Sequence, residues 1–247
     1  MSNIINKKNR VFLIGLVLGL FFYLLFSVIY STSSILAVSI VDSSYEAKIL
    51  SEDNPYYIQI LCMAQMMFNI PLVGFFIYIL KDNIIDDFKR FKNSRMKNIL
   101  FVFLGLISCY ILSAVVAYIY EILGVGGVSD NQDTINLALN SSAKIPMIIS
   151  VVIFAPIVEE ILFRKLLFGT LEENFKFPSV VVIIISTLVF SLIHVAGGGN
   201  LIYIFQYIPL AFVITFSYYI SNRNIFVPMG IHFLNNLISV IAVYLVL

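Results

Sequence analysis

Apolar stretches of about twenty residues recur along most of the chain, and they restrict its fold more than any other feature. Of the 247 residues, 60% are hydrophobic and 12% are charged. Lipid offers no hydrogen-bond partners to the backbone, so apolar spans of this length form helices. The sequence therefore predicts an all-α, polytopic transmembrane helix bundle in the cell membrane. A formal net charge of +1 gives no reason to expect a nucleic-acid partner.

Seven spans are predicted, and most lysines and arginines fall on one side of them. The spans cover approximately residues 11–30, 56–80, 99–120, 145–172, 178–196, 201–220 and 225–247. Because basic residues concentrate in cytoplasmic segments, their distribution predicts a cytoplasmic N-terminus. We divide the chain into residues 1–144, with helices 1–3 and a basic cytoplasmic loop at 81–98, and residues 145–247, with spans 4–7.

Three links between spans carry structural expectations. Residues 81–98 are basic and have apolar residues near helical spacing, which predicts a short amphipathic helix lying on the bilayer. We interpret its basic residues as an orientation determinant and a lipid-facing surface. The loop 121–144 is expected to be irregular. Glycines at 197–199 follow His194 at membrane depth, where irregular backbone must be buried or line a wet cavity, so we expect an aqueous pocket above His194.

Two adjacent glutamates, Glu159 and Glu160, and the nearby Arg164 lie inside the fourth apolar span. A charge at this depth costs several kcal/mol, so such residues face a bundle interior or a wet cavity and usually serve a function. Glu160 and Arg164 are spaced i, i+4 with the glutamate first, which favours an ion pair that holds Glu160 ionised. Glu159 points about 100° away and has no partner in its own helix.

The two histidines of the chain, His194 and His232, also lie inside predicted spans. A lone membrane histidine is more often an interhelical hydrogen bonder, but two histidines and two glutamates on three helices favour proton exchange. A rise of about 1.5 Å per residue puts Glu159 and His194 roughly 10–15 Å inside the inner boundary, with His232 and Asn236 in the same layer. We therefore expect the four side chains to converge in the cytoplasmic half of the bilayer.

Attack of water on an amide is the chemistry that this set would support. Glu159 would act as general base, and His194 could share a water with it. His232 and Asn236 lie on one face of the last span and can both offer donors, so they suit an oxyanion hole. Asn235 is a weaker candidate for the role of Asn236.

Structural explanations exist for some of these residues. Glu160 and Arg164 could form an ion pair for packing alone. Phe190, an apolar residue in an apolar helix, would by itself be interpreted as core.

Three motifs resemble those of a known family. Glu159-Glu160-x-x-x-Arg164, Phe190-x-x-x-His194 and His232-x-x-x-Asn236 match, in order, the motifs of the CPBP intramembrane proteases, the group of CAAX prenyl protease 2 and the bacteriocin-processing (Abi) proteins. The resemblance covers about the last hundred residues and implies proteolysis by a glutamate-activated water. It implies that Glu159 and His194 activate the water and that His232 with Asn236 stabilises the oxyanion. Glu160, Arg164 and Phe190 would hold these four side chains in position.

The sequence is compatible with catalysis either with or without a divalent metal such as zinc. The family is commonly called metallo-, and a catalytic zinc needs three protein ligands and an open position, which Glu159, His194 and His232 could supply. No His-Glu-x-x-His zinc motif and no Gly-x-Ser-x-Gly nucleophile motif occurs in the sequence.

The expected partners are membrane lipid and a membrane-associated peptide or protein substrate. The eukaryotic branch of the family cleaves prenylated C-terminal peptides, whereas the bacterial branch is linked to peptide processing and self-immunity. The abundance of Ile, Asn and Lys favours a bacterial source. For such a source, the resemblance implies a small membrane-associated peptide as the substrate. The alternatives are a non-catalytic scaffold or bacteriocin self-immunity protein of the same fold, and a proton-coupled transporter, for which the expected half-repeats are missing.

Overall fold

The computed structural model of the chain describes residues 2–26, 55–196 and 200–245, with side chains for 9–24, 62–196 and 200–245. Throughout these ranges the regular structure is helical, so the predicted all-α bundle is confirmed. The C-terminal end of the first predicted span, the polar segment 42–53 that follows it and the glycine break at 197–199 lie outside the described residues.

Eight helices follow one another along the described chain, and most are joined by short links. Five are regular over their length: α1 (Ser2–Phe21), α2 (Pro55–Asn93), α3 (Arg95–Leu123), α4 (Asp130–Leu139) and α6 (Ser179–Ile193). Two more close the chain, α7 (Ile204–Ile220) and α8 (Phe226–Leu245). Between α4 and α6 lies α5, a composite helix that runs over Lys144–Asn174.

Five of these helical segments are long and apolar enough to cross a membrane. They are Cys62–Asn93, Arg95–Leu123, Lys144–Asn174, Leu201–Ile220 and Phe226–Leu245. The first and fifth predicted spans correspond to shorter apolar helices, Asn9–Leu24 and Ser179–Ile193. The chain is therefore a multi-pass membrane protein, while its orientation stays a prediction.

The second predicted span does not end where the basic stretch begins. Helix α2 runs without a break from Pro55 to Asn93, so the separate amphipathic helix predicted on the bilayer is wrong. Asp87 within it is only 1% exposed and accepts bonds from Lys165 Nζ at 2.5 Å and from the backbone N–H of Ile225 at 3.1 Å. Arg90 pairs with Asp87 and donates to the carbonyl of Asn222 at 2.6 Å. These contacts make the stretch part of the bundle rather than only a lipid-facing surface.

The loop between α3 and α5 is also more ordered than expected, because it contains helix α4. The side chain of Ser129 caps this helix by accepting a bond from the N–H of Gln132 at 3.2 Å. Asp130 and Asp133 lie in the first turn, where their negative charges stabilise the positive end of the helix dipole. Leu139, 1% exposed, anchors the other end of α4 in a small apolar cluster.

Helix α5 lies at the centre of the bundle and is not a regular α-helix. Half of its most apolar stretch is buried, against 11% for α3. Its turns widen to π-helical geometry at Ile149–Phe154, Glu160–Phe168 and Thr170–Asn174. Pro156 has no N–H and crowds the preceding turn, which accounts for the first of these segments. Single π turns are enriched at functional sites, and here the acidic pair lies where the second begins.

Helix α1 packs closely on α5 through two glycines. A Cβ atom at Gly15 would lie 3.0 Å from Leu166, and one at Gly19 would lie 3.0 Å from Leu162. Small residues four apart let two membrane helices approach closely. The next residue in this spacing is Tyr23, which the approach brings to the acidic pair on α5.

Candidate active site

Glu160 and Arg164 form a fully buried ion pair, as the i, i+4 spacing predicts. Arg164 Nε lies 3.2 Å from Glu160 Oε2, Nη1 lies 3.3 Å from Oε1, and both side chains are 0% exposed. The guanidinium also donates to the carbonyl of Ala211 and to Thr215 Oγ1, each at 3.4 Å. A buried charge of this kind is stable only when such partners are present.

His232 contacts this pair directly, which sequence reasoning did not foresee. Its Nδ1 lies 2.8 Å from Glu160 Oε1, and the ring is 3% exposed. Because the carboxylate accepts, Nδ1 carries a hydrogen and Nε2 is the ring nitrogen left for other partners. His232 also lines the cavity that contains Glu159.

Glu159 has different partners from its neighbour. The hydroxyl of Tyr23 donates to Glu159 Oε1 at 3.1 Å, and His194 Nε2 lies 3.6 Å from Oε2. His194 Nδ1 lies 2.8 Å from the carbonyl of Phe190, which can only accept, so Nδ1 carries the hydrogen in the neutral ring. A nitrogen lone pair and a carboxylate oxygen therefore face each other at a separation longer than a direct hydrogen bond. A water that donates to both atoms would satisfy them.

Asn236 lies on α8, one helical turn after His232. Its Nδ2 donates to the carbonyl of Val151 at 2.9 Å, which leaves one amide hydrogen for another acceptor. Asn235 Nδ2 donates to Asn236 Oδ1 at 3.2 Å and so helps to orient that amide. Both asparagines line the cavity.

The ring of Phe190 lies among the charged groups and is 0% exposed. Its centroid is 4.5 Å from that of His194, 6.0 Å from that of His232, and 4.3 Å from Arg164 Cζ. One apolar ring thus separates the two imidazoles and covers the guanidinium. This position fits a packing role that also fixes the polar side chains around it.

One cavity of about 330 Å³ brings the predicted residues together. Glu159, His194, His232 and Asn236 all line it. The volume is within the range of about 300–1,000 Å³ that is usual for ligand pockets. The predicted convergence of these four side chains is therefore confirmed, while their depth in the bilayer stays a prediction.

Tyr23 also lines this cavity and was missed by sequence reasoning. The available signal was the spacing of Gly15, Gly19 and Tyr23, which places two small residues and a phenol on one face of α1. That spacing indicates a close helix contact but does not identify which helix α1 contacts.

The metal possibility finds no support in this arrangement. Within the described ranges no group of three or more His, Cys, Asp or Glu side chains is placed to hold a metal ion. Of the three candidate ligands, His232 is directed by Nδ1 to Glu160 rather than to Glu159, and Glu159 is shared by Tyr23 and His194. Glu159, His194 and His232 therefore do not fit a three-ligand zinc site.

The fold and the site together define a multi-pass membrane protein with a buried carboxylate–imidazole centre that faces a polar cavity. Residues 141–238, which contain all three motifs, match the family model described as "Type II CAAX prenyl endopeptidase Rce1-like". This match confirms the resemblance to the CPBP family of intramembrane proteases.

Two curated bacterial proteins are similar to about half of the chain. "Putative membrane peptidase YdiL" of Bacillus subtilis (strain 168) is 34% identical over 125 residues, which are 49% of this chain and 46% of that protein. "Membrane-embedded CAAX protease MroQ" of Staphylococcus aureus (strain USA300) is 35% identical over 120 residues, 47% of this chain and 46% of that protein. The matches thus span about half the length of these relatives. No solved structure is significantly similar.

Proposed function

We propose that the chain is an intramembrane endopeptidase that hydrolyses a peptide bond of a membrane-associated protein or peptide. The observation that carries the proposal is the pair of facing acceptors, His194 Nε2 and Glu159 Oε2, 3.6 Å apart in a cavity. A water bound between them would donate both hydrogens and direct a lone pair away, toward a substrate carbonyl. The family match and the names of both relatives support a peptidase.

Glu159 is the general base in this proposal. As the water oxygen attacks the carbonyl carbon, its proton moves to Glu159 Oε2, and a tetrahedral oxyanion forms. The same proton then passes to the amide nitrogen, the carbon–nitrogen bond breaks, and an amine and a carboxylic acid are released. The bond of Tyr23 to Oε1 leaves Oε2 as the oxygen that exchanges the proton.

His232 and Asn236 stabilise the oxyanion. Asn236 retains one amide hydrogen beyond its bond to Val151. His232 donates from Nε2 only as an imidazolium, because Nδ1 is held by Glu160. Glu160 contacts the ring of His232 and not the bridging position between Glu159 and His194, so Glu160 acts through His232 rather than on the water.

Arg164 and Phe190 hold these groups in position. Arg164 balances the charge of Glu160, and Phe190 fixes the two imidazole rings on either side of its own. The proposed substrate is a membrane-associated protein or peptide. Exposed apolar side chains along the spans provide the contact with membrane lipid.

Purified protein in detergent, incubated with candidate peptides, tests the proposal. Wild type should release fragments, and Glu159→Gln, which removes the base at nearly constant volume, should not. Glu121→Gln makes the same chemical change at an exposed residue outside the cavity and should retain full activity. Fragments formed equally by wild type and Glu159→Gln would refute the mechanism.

The same variants separate this proposal from a non-catalytic scaffold or immunity protein. A scaffold requires the fold but not the base, so Glu159→Gln would leave intact the phenotype that the wild-type protein confers on the cell. A peptidase would lose the phenotype at normal expression of the variant.

A further inference from the structure

The cavity that contains Glu159 continues well beyond it, toward α4. Along α8 its lining begins at His232 and ends at Val243. This interval of eleven residues corresponds to about 16 Å at a rise of about 1.5 Å per residue. On α4 the lining includes Asn131, Gln132 and Thr134. The cavity is therefore an elongated cleft with the candidate site at one end.

The two ends of the cleft differ in exposure. Glu159 and His232 are 7% and 3% exposed. Asn131 and Thr134 are exposed, and α4 belongs to a polar segment that is not among the apolar spans. The cleft therefore opens at the exposed residues of α4, whereas the proposed base is buried.

Helix α4 is held in place as a wall of this cleft. The hydroxyl of Tyr207 on α7 is 2.5 Å from Ser129 Oγ and accepts a bond from Asn131 Nδ2 at 3.2 Å. At the other end of α4, the hydroxyl of Tyr244 donates to the carbonyl of Leu139 at 2.8 Å. The ring of Tyr207 also stacks on His194, with centroids 4.8 Å apart. One tyrosine thus joins the mouth of the cleft to the proposed catalytic histidine.

Uncharged polar side chains are as frequent as apolar ones in the lining. Six carry side-chain amides: Gln65, Asn131, Gln132, Gln206, Asn235 and Asn236. Each amide can donate two hydrogen bonds and accept two, which matches the alternating N–H and C=O groups of an extended peptide. Among the described lining residues, Glu159 is the only carboxylate, and no lysine or arginine is present.

We propose that this cleft binds an extended, uncharged segment of the substrate, about five residues long, on one side of the cleaved bond. The inference rests on the proposed peptidase function and adds the substrate class to it. A charged side chain in this segment would lose its hydration without gaining a partner. An acidic side chain would in addition be repelled by Glu159.

Photo-crosslinking tests binding without requiring cleavage. The probe is an uncharged synthetic decapeptide of Ala, Ser, Leu and Asn that carries one benzophenone side chain, moved through successive positions. With full-length Glu159→Gln protein in detergent, crosslinks should map by mass spectrometry to 130–139 on α4 and to 232–243 on α8. Crosslinks confined to other helices would overturn the cleft.

A charge exchange tests specificity with the active protein. In wild type, a Lys in place of Asn in the decapeptide should lower kcat/KM by roughly tenfold or more wherever it falls in the cleft. Gln132→Glu should recover most of that loss for a Lys at the peptide position that crosslinks to α4, measured as the ratio of kcat/KM for the Lys peptide to kcat/KM for the uncharged peptide. Asn140→Asp adds the same charge at the end of α4 without lining the cleft, and should recover nothing.

The outcomes distinguish the cleft from the peptidase activity. An unchanged charge preference in Gln132→Glu, with cleavage still dependent on Glu159, overturns the cleft alone. Failure of wild type to cleave any peptide argues against the peptidase, and the crosslinking pattern still decides whether the cleft binds a peptide.

Discussion

The hydroxyl of Tyr23 donates a hydrogen bond of 3.1 Å to Glu159 Oε1, although 136 residues separate the two in the chain. Tyr23 lies outside residues 141–238, the segment that matches the family model. The first helix therefore completes a site whose other members all lie in the second half of the chain. The bond orients the carboxylate and assigns different partners to its two oxygens.

Replacing Tyr23 with Phe should lower kcat by roughly tenfold with little change in KM, because one hydrogen bond to the base is lost, worth about 1.5 kcal/mol. The edge-to-face contact with Phe163 at 6.3 Å does not need the hydroxyl and should remain. Steady-state peptidase kinetics provide the measurement. Tyr244→Phe removes a comparable interhelical bond, to Leu139, away from the acidic pair and should retain kcat. Equal activity of Tyr23→Phe and wild type would contradict the positioning role.

His232→Gln and Asn236→Ala should each reduce kcat by roughly 10²–10³-fold, the usual effect of removing one oxyanion donor. The matched comparison is Ser239→Ala, which alters an exposed cavity residue whose hydroxyl donates to the carbonyl of Asn235. A rise in KM with kcat retained would show that these groups bind the substrate equally in the ground state and the transition state, and do not stabilise the oxyanion specifically.

Arg164→Lys should destabilise the protein by about 3 kcal/mol, because lysine cannot keep the forked contacts to Glu160 and the stacking on Phe190. Thermal unfolding in detergent measures the effect as a lowered Tm. Arg95→Lys, at an exposed position, is the control and should leave Tm unchanged. A stable Arg164→Lys variant would mean that a point charge alone satisfies Glu160.

Asp87→Asn should also destabilise the bundle by about 3 kcal/mol, because it leaves the buried Lys165 ammonium without its 2.5 Å carboxylate partner. Adding Lys165→Met should recover part of this loss, since the buried charge that paired with Asp87 is then removed. A double-mutant cycle on the free energy of unfolding gives the coupling. Additive effects of the two substitutions would exclude a direct ion-pair interaction.

Treatment with a chelator such as 1,10-phenanthroline should leave the peptidase activity unchanged. The reason is the donor geometry: in the described part of the chain, no three ligand-type side chains are placed to hold a metal ion. Activity is measured before and after dialysis, with and without added zinc. Loss on chelation with recovery on zinc would require Glu159, His194 and His232 to regroup around the ion.

Local spacing explains what could be predicted. The i, i+4 interval fixes the Glu160–Arg164 pair within one helix, and the apolar stretches around them define the spans. Motifs on three helices also indicated that Glu159, His194, His232 and Asn236 would meet, because their depths agree. These are inferences within a single helix or along the membrane normal, where the helical rise gives distances directly.

Long-range contacts explain what could not. The bond from His232 to Glu160, the ring of Tyr207 on His194, and the burial of Asp87 by Lys165 each depend on how two helices are rotated about their axes. Spacing within one helix carries no information about that rotation. The stretch 81–98 was misread for this reason, since its buried Asp87 meets Lys165 and the N–H of Ile225 only in the folded bundle.

The sequence by itself determined the class of fold, the acidic pair and the set of side chains that we propose to activate a water, since hydropathy and helical spacing are local properties. Only the tertiary structure decided that Tyr23 orients Glu159, that His232 is bonded to Glu160, and that α4 forms the mouth of the cleft. Those features arise from the packing of distant helices, where close approach at glycines and burial of charge select one arrangement among many with the same local pattern.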